Sequence, residues 1–180
     1  GFTGLEKPGD RMILAPSMQA IENAYDCAKY GDFAEELPME VVVPTVHDNS
    51  LAPGGKHVLS AQVQYAPYNL KGGWEEQRER FLDNALNTLE RYAPGIRSQV
   101  VASELLTPLD LEQQFRVTGG HWHHAEFAID NWWMNRPTYG ASQYKTPVPG
   151  FYLCGAGAHP GGGIMGAAGA NAARAILEEK

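Results

Sequence analysis

Two stretches of the chain hold residues whose types and spacing could do chemistry. The longer runs from Gly150 to Leu177 and reads Gly-Phe-Tyr-Leu-Cys-Gly-Ala-Gly-Ala-His-Pro-Gly-Gly-Gly-Ile-Met-Gly-Ala-Ala-Gly-Ala-Asn-Ala-Ala-Arg-Ala-Ile-Leu. Phe151 to Cys154 is an apolar run bounded by glycine, the pattern of a buried strand. The glycines from Gly155 to Gly163 free the backbone to take positive φ angles and to approach a ligand closely. From Ile164 onward the residues are small or apolar and rich in alanine, a helix former. Strand, glycine loop and helix N-terminus together present backbone N–H groups to an anion. The shorter stretch is His121-Trp122-His123-His124, where His121 and His123 would share one face of a strand.

Each pattern has competing readings. Gly155-Ala156-Gly157 begins like a dinucleotide fingerprint, but Pro160 stands where the third glycine belongs, and no Lys-Ser or Lys-Thr pair makes the loop a P-loop. Gly162, Gly166 and Gly169 are spaced to share one helical face, which invites close packing by a backbone or a flat ring. The same face would serve a tight strand-to-helix contact with no ligand at all. His159 lies within reach of any ligand in the loop; otherwise it bonds a neighbouring carbonyl and fixes the turn. Two histidines of one strand could ligate zinc with a third ligand. No cysteine or carboxylate spacing supplies that third ligand, so the cluster reads as structural or ligand-lining, with no metal. Trp132-Trp133-Met134 is an apolar aromatic surface, either core or pocket wall. Arg91, Arg97, Arg116 and Arg136 are scattered and read as solvated.

The elements that must position these residues follow in order. Met12-Ile13-Leu14 suggests a lead-in strand, and Ser17 an N-cap for a helix carrying Met18, Ile21, Ala24, Tyr25 and Ala28 on one face and ending at Gly31. Met39 to Val43, flanked by Pro38 and Pro44, reads as an edge or terminal strand. His57 to Tyr65 alternates as a half-buried strand with its odd-numbered residues inward, antiparallel to the previous one. Trp74 to Tyr92 is the clearest helix, with Trp74, Phe81, Leu82, Ala85, Leu86 and Leu89 as its stripe and Pro94-Gly95 as its stop. Ile96 to Leu106 suggests a third strand, and Pro108 to Phe115 a helix with an acidic first turn.

The 180 residues, 43% hydrophobic and 19% charged, describe an ordinary globular protein able to bury a core. A net charge of −7 without a basic run argues against nucleic acid or an anionic membrane as partner. No apolar run approaches the ~20 residues of a membrane span. Cys27 and Cys154 form no metal or redox spacing; Cys154 reads as a small buried apolar residue, which favours a reducing, cytoplasmic compartment. Together these features give an α+β unit with an antiparallel or mixed sheet and covering helices over residues 1–144. Residues 145–180 read as a strand-loop-helix of a nucleotide-binding layer.

The run Gly155-Ala-Gly-Ala-His-Pro-Gly-Gly-Gly-Ile-Met-Gly-Ala-Ala-Gly resembles the C-terminal flavin-binding segment of the phytoene desaturase-like FAD oxidoreductases. Pro44 to His57, Gln64 to Tyr68 and Tyr92 to Gly95 resemble the same family. The resemblance implies a Rossmann-type FAD domain assembled from both ends of a longer chain, with a separate substrate domain. It implies that Gly155, Ala156 and Gly157 approach the FAD pyrophosphate and that His159 and Pro160 lie by the isoalloxazine. The backbone N–H groups of Gly163, Ile164, Met165 and Gly166 would face the flavin pyrimidine edge. It implies hydride transfer between a hydrophobic or small organic substrate and the flavin. The chain has no N-terminal dinucleotide fingerprint, so it reads as the C-terminal portion of such an enzyme, inactive alone and completed by the FAD-binding N-terminal part. A free-standing ligand or protein-interaction module is the alternative from another class; a phosphate-binding transferase or lyase would need a base or metal motif that is absent.

Overall fold

A computed structural model describes residues 11–121, 123 and 128–179, and the chain divides into two units, residues 1–109 and 110–180. In the first unit the strands β1 (Met12–Leu14), β2 (Met39–Val42) and β3 (Ser60–Val63) form a three-stranded antiparallel sheet in that order. The register pairs Leu14 with Met39 and Met39 with Val63, so these side chains share one face. Leu14, Met39 and Val41 are buried there, while Ile13 and Glu40 fall on the other face, where Glu40 meets Arg11 at 3.1 Å. One buried and one solvated face is the usual economy of an antiparallel sheet.

The sheet corrects two sequence expectations. The Met39–Val43 segment was expected at an edge because prolines flank it, yet β2 is the central strand. Pro38 and Pro44 lie just outside the ladder, so neither removes a donor that pairing needs. The third strand is β1; residues 96–106 hold only a 3-10 turn at Arg97–Gln99 and no ladder. The strand expected over His57–Tyr65 is shortened to β3. The Thr45 hydroxyl engages the Val58 N–H (3.3 Å) and His57 Nδ1 (3.1 Å) before the ladder starts, and Tyr65 leaves it in a left-handed conformation (φ 58°). Leu59 and Val63 do pack inward, as the odd-numbered face required, whereas His57 and Ala61 are exposed.

The helix α1 (Met18–Lys29) begins where its cap dictates, with Ser17 Oγ accepting from the Ala20 N–H at 3.1 Å. It ends at Gly31 (φ 75°), whose N–H bonds the Ala28 carbonyl while the Asp32 N–H bonds that of Cys27, a Schellman closure. Of its expected inner face, Ala24 is buried while Met18 and Tyr25 are exposed.

The helix α2 (Gly73–Tyr92) carries the core. Trp74, Phe81, Ala85 and Leu89 are buried against Leu14, Leu37, Met39 and Val41. Phe81 meets both Phe33 and Trp74 edge-to-face, each with ring centroids 5.1 Å apart. Thr88 Oγ1 accepts from the Leu37 N–H (3.2 Å) and donates to the Asn84 carbonyl (3.0 Å), tying the 33–38 loop to the helix. Leu82, expected in the stripe, is only half-buried and lies outside this cluster. Glu90 closes the helix end by accepting from the N–H groups of Gly95 (2.6 Å) and Arg97 (3.0 Å). Arg97 in turn reaches Asp83 at 2.5 Å. The helix α3 (Pro108–Phe115) follows as expected. Among the described residues no helix is long and apolar enough to cross a membrane.

Two outcomes test this packing. Phe81→Ala is expected to cost ~3–5 kcal/mol in urea unfolding and Leu82→Ala clearly less, since only Phe81 would leave a core cavity; equal losses would contradict the register of α2. The Glu90 carboxyl is held below its ordinary range by the Arg97 and Gly95 N–H groups, and Asp83 by the Arg97 guanidinium. Depressed folded values contribute stability that is present above the ordinary carboxylate range and lost as pH falls through the folded values. Thermal melts should therefore weaken on acidification below about pH 4, and Glu90→Gln should flatten that dependence.

Candidate functional site

The candidate site lies in the second unit and is built on a short hairpin-like return. The Leu153 N–H bonds the Tyr144 carbonyl at 2.7 Å and the Thr146 N–H that of Phe151 at 3.2 Å, with one isolated bridge between Lys145 and Tyr152. The buried strand expected over Phe151–Cys154 is therefore not formed: Phe151 is 55% exposed and Cys154 is an exposed free thiol rather than a core residue. A single bridge cannot bury a strand, and the glycines beside it offer nothing to pack on it.

The glycine segment then makes two consecutive turns. Ala158 N–H bonds the Gly155 carbonyl (3.0 Å), and Gly161 N–H bonds that of Ala158 (2.8 Å) around a cis His159–Pro160 peptide. Gly161 (φ 109°) and Gly163 (φ 119°) take conformations that a side chain would strain. The helix α4 (Ala167–Glu178) starts after Gly166, three residues later than the composition suggested. Gly163, Ile164 and Met165 thus belong to the loop before the helix and Gly166 is its N-cap. The glycine face expected from Gly162, Gly166 and Gly169 does not exist, because only Gly169 is helical. Small residues pack the base of the loop instead: Ala158, Ala168 and Ala172 cluster with Tyr144, backed by Leu153 and Ala175.

Side chains from elsewhere in the unit hold the turns by their carbonyls. Tyr144 Oη donates to the His159 carbonyl at 2.9 Å and accepts from Asn171 Nδ2 at 2.8 Å, linking α4 to the turn. Arg136 is fully buried and its Nη2 donates to the Ala156 carbonyl at 3.2 Å and to the His123 carbonyl at 3.5 Å. Sequence reasoning placed Arg136 in solvent. The signal it missed was position: a cation set within the aromatic, proline-closed stretch Trp132–Pro137.

The residues implicated by sequence have distinct environments. Gly155 and Gly157 are open on one side, where an added Cβ would meet nothing within 4 Å, and neither has a positive φ. Ala156, His159 and Pro160 are half-buried, and the Gly162 backbone closes on Ala156, whose Cβ would lie 3.2 Å from an added one. Ile164 and Met165 stand in solvent, at 107% and 74% exposure. His159 borders a cavity of about 430 Å³ shared with Met134, Tyr144, Asn171, Arg174 and Glu178. Its buried Nδ1 has no hydrogen-bond partner among the described residues, an arrangement costing ~1–3 kcal/mol.

Of the histidine cluster, Trp122 and His124 lie outside the described residues. The rings of His121 and His123 meet at 5.6 Å, and His121 Nδ1 accepts the His123 N–H (3.2 Å). Among the described residues no group of three His, Cys, Asp or Glu could hold a metal ion. Trp132 is half-exposed and Met134 reaches the cavity.

Tyr144→Phe strips two groups of their partner at once, the His159 carbonyl and the Asn171 amide. The variant is expected to lose ~1–3 kcal/mol in thermal unfolding and to exchange the Gly161 amide faster, read by hydrogen exchange; an unchanged Gly161 rate would show that the hydroxyl does not hold the turn.

No protein-family model matches the chain. Individual proteins do. Over 162 residues it is 43% identical to pyridine nucleotide-disulfide oxidoreductase domain-containing protein 2 of Mus musculus, covering 88% of this chain and 28% of that protein. It is 31% identical over 148 residues to a lycopene-forming phytoene desaturase of Pantoea ananas, covering 80% and 29%. It is 34% identical over 122 residues to 4,4'-diapolycopen-4-al dehydrogenase of Metabacillus indicus, covering 67% and 23%. The chain spans less than a third of the length of these curated relatives. Along that span, the chain belongs to the phytoene desaturase-like oxidoreductase family.

Proposed function

We propose that this chain is the part of an FAD-dependent oxidoreductase that closes the flavin site, with residues 145–180 contributing to the FAD domain and residues 1–144 to the substrate domain. The ADP-binding half would come from a dinucleotide-binding part outside this sequence. The observation that carries the reading is a glycine loop that exposes both its backbone and its apolar side chains. Gly155 and Gly157 leave backbone open to close approach, and Ile164 and Met165 later in the same loop stand in solvent. An adjacent isoleucine and methionine exposed in a glycine loop offer apolar surface that a bound ring would cover.

The residues fit the group. Ala156 and Gly157 form the middle of the Gly155–Ala158 turn, whose own hydrogen bond uses the Ala158 N–H and leaves theirs outside it. Those N–H groups would meet the pyrophosphate. His159 and Pro160 would lie by the isoalloxazine, and the loop from Gly163 through Ile164 and Met165 to Gly166 would run along the pyrimidine edge. The flavin, when bound, would supply the two-electron chemistry: a hydride from a substrate C–H bond would pass to it while the adjacent carbon or nitrogen gives up a proton to solvent, turning a C–C or C–N single bond into a double bond. The chain's part is to place the ring, exclude water with Ile164 and Met165, and stabilise negative charge on the reduced ring by backbone N–H groups. Relatives named for phytoene and 4,4'-diapolycopen-4-al support an apolar substrate.

Gly157→Val tests this reading, because a side chain there finds empty space and an ordinary φ. In the longer protein the variant should fold with an unchanged melting temperature and lose flavin absorbance. Full flavin content in that variant would refute the assignment. The 180-residue chain alone should bind FAD weakly in a fluorescence titration. Tight stoichiometric binding would refute the division of the site, and a colourless longer protein would favour a non-catalytic module.

A further inference from the structure

We infer that Arg136 is a positioning residue that aims the Gly157 N–H at the anion of the bound cofactor; the inference rests on the flavin reading above. The central peptide of the Gly155–Ala158 turn is the unit made of the Ala156 carbonyl and the Gly157 N–H. A trans peptide is planar and its C=O and N–H point in opposite directions. That central peptide has two orientations of similar energy in a β-turn, and rotating it interconverts the common turn types. The turn's own hydrogen bond, from Ala158 to Gly155, is compatible with both.

Arg136 chooses between them. Its Nη2 holds the Ala156 carbonyl at 3.2 Å from the buried side. The Gly157 N–H, opposite that carbonyl on the same planar peptide, must then point away from the guanidinium. A guanidinium keeps its charge at any accessible pH and donates along fixed directions. Burying one completely is costly, and an apolar side chain of similar volume would often be more stable. The same Nη2 lies 3.5 Å from the His123 carbonyl, so the group also ties the turn to the histidine segment. Arg136 touches no cofactor itself.

The test compares Arg136→Met and Arg136→Lys with the parent in two settings. In this 180-residue chain, Arg136→Met should shift and broaden the Gly157 amide resonance as the central peptide becomes free to rotate, and Arg136→Lys should restore it in part. In the longer protein the same change should weaken flavin binding by about tenfold or more, with the lysine variant again intermediate. A purely structural arginine would lower the melting temperature and leave flavin affinity and the flavin spectrum of the folded fraction alone. An unperturbed Gly157 amide in a folded Arg136→Met chain would overturn the inference. So would unchanged flavin affinity in that variant when Gly157→Val abolishes binding. If Arg136→Met does not fold, the lysine variant decides on the same two readouts. If the parent protein holds no flavin, the flavin reading has failed, and the Gly157 amide still reports whether Arg136 sets the turn.

Discussion

Between Gly155 and Gly163 the chain has almost no side chains with which to pack itself, so its shape must be imposed through its carbonyl groups. Arg136 holds the carbonyl of Ala156 and Tyr144 that of His159, and Asn171 on α4 holds Tyr144. Gly155 and Gly157 stay open, and Ile164 and Met165 stand in solvent. A loop built for its own stability would do the reverse. It would bury isoleucine, place alanine where glycine costs chain entropy, and leave arginine outside. The inversion is intelligible if the loop's missing contacts are those of a ligand.

The first unit shows the opposite economy. Three short strands bury one face, and a sheet of that size is not stable without a cover. The cover is α2, and its grip comes from Phe81 wedged between Phe33 and Trp74. The buried Thr88 hydroxyl satisfies the Leu37 N–H, so the connecting loop enters the core without stranding a donor.

Similarity to phytoene desaturase-like oxidoreductases extends over both units. The site residues themselves carry no acid, base or nucleophile pattern. That is what a flavoprotein segment would look like, since the cofactor carries the reaction and the protein supplies placement and electrostatics. His159 fits the same logic: its place in the chain is fixed by its carbonyl, through Tyr144, rather than by its ring.

Local chemistry was readable from the sequence alone. Ser17 accepts a hydrogen bond at a helix start, Gly31 closes a helix end, Pro94 and Gly95 stop α2, and the α2 stripe has the right period, because each depends only on neighbours within a turn or two. The glycine loop was visible for the same reason. What tertiary structure decided depends on residues far apart. Whether Met39–Val42 was central or at an edge turned on where β1 came to lie, which no local signal encodes. Phe151–Cys154 had a strand's composition and found no partner strand to bury it. The helix after the glycines began at Ala167 because Gly166 took a left-handed φ, although Ile164 and Met165 are ordinary helix residues. Arg136 was unreadable above all. Charge and spacing alone send an arginine to solvent, and only the fold brings a carbonyl twenty residues later to within 3.2 Å of its buried guanidinium.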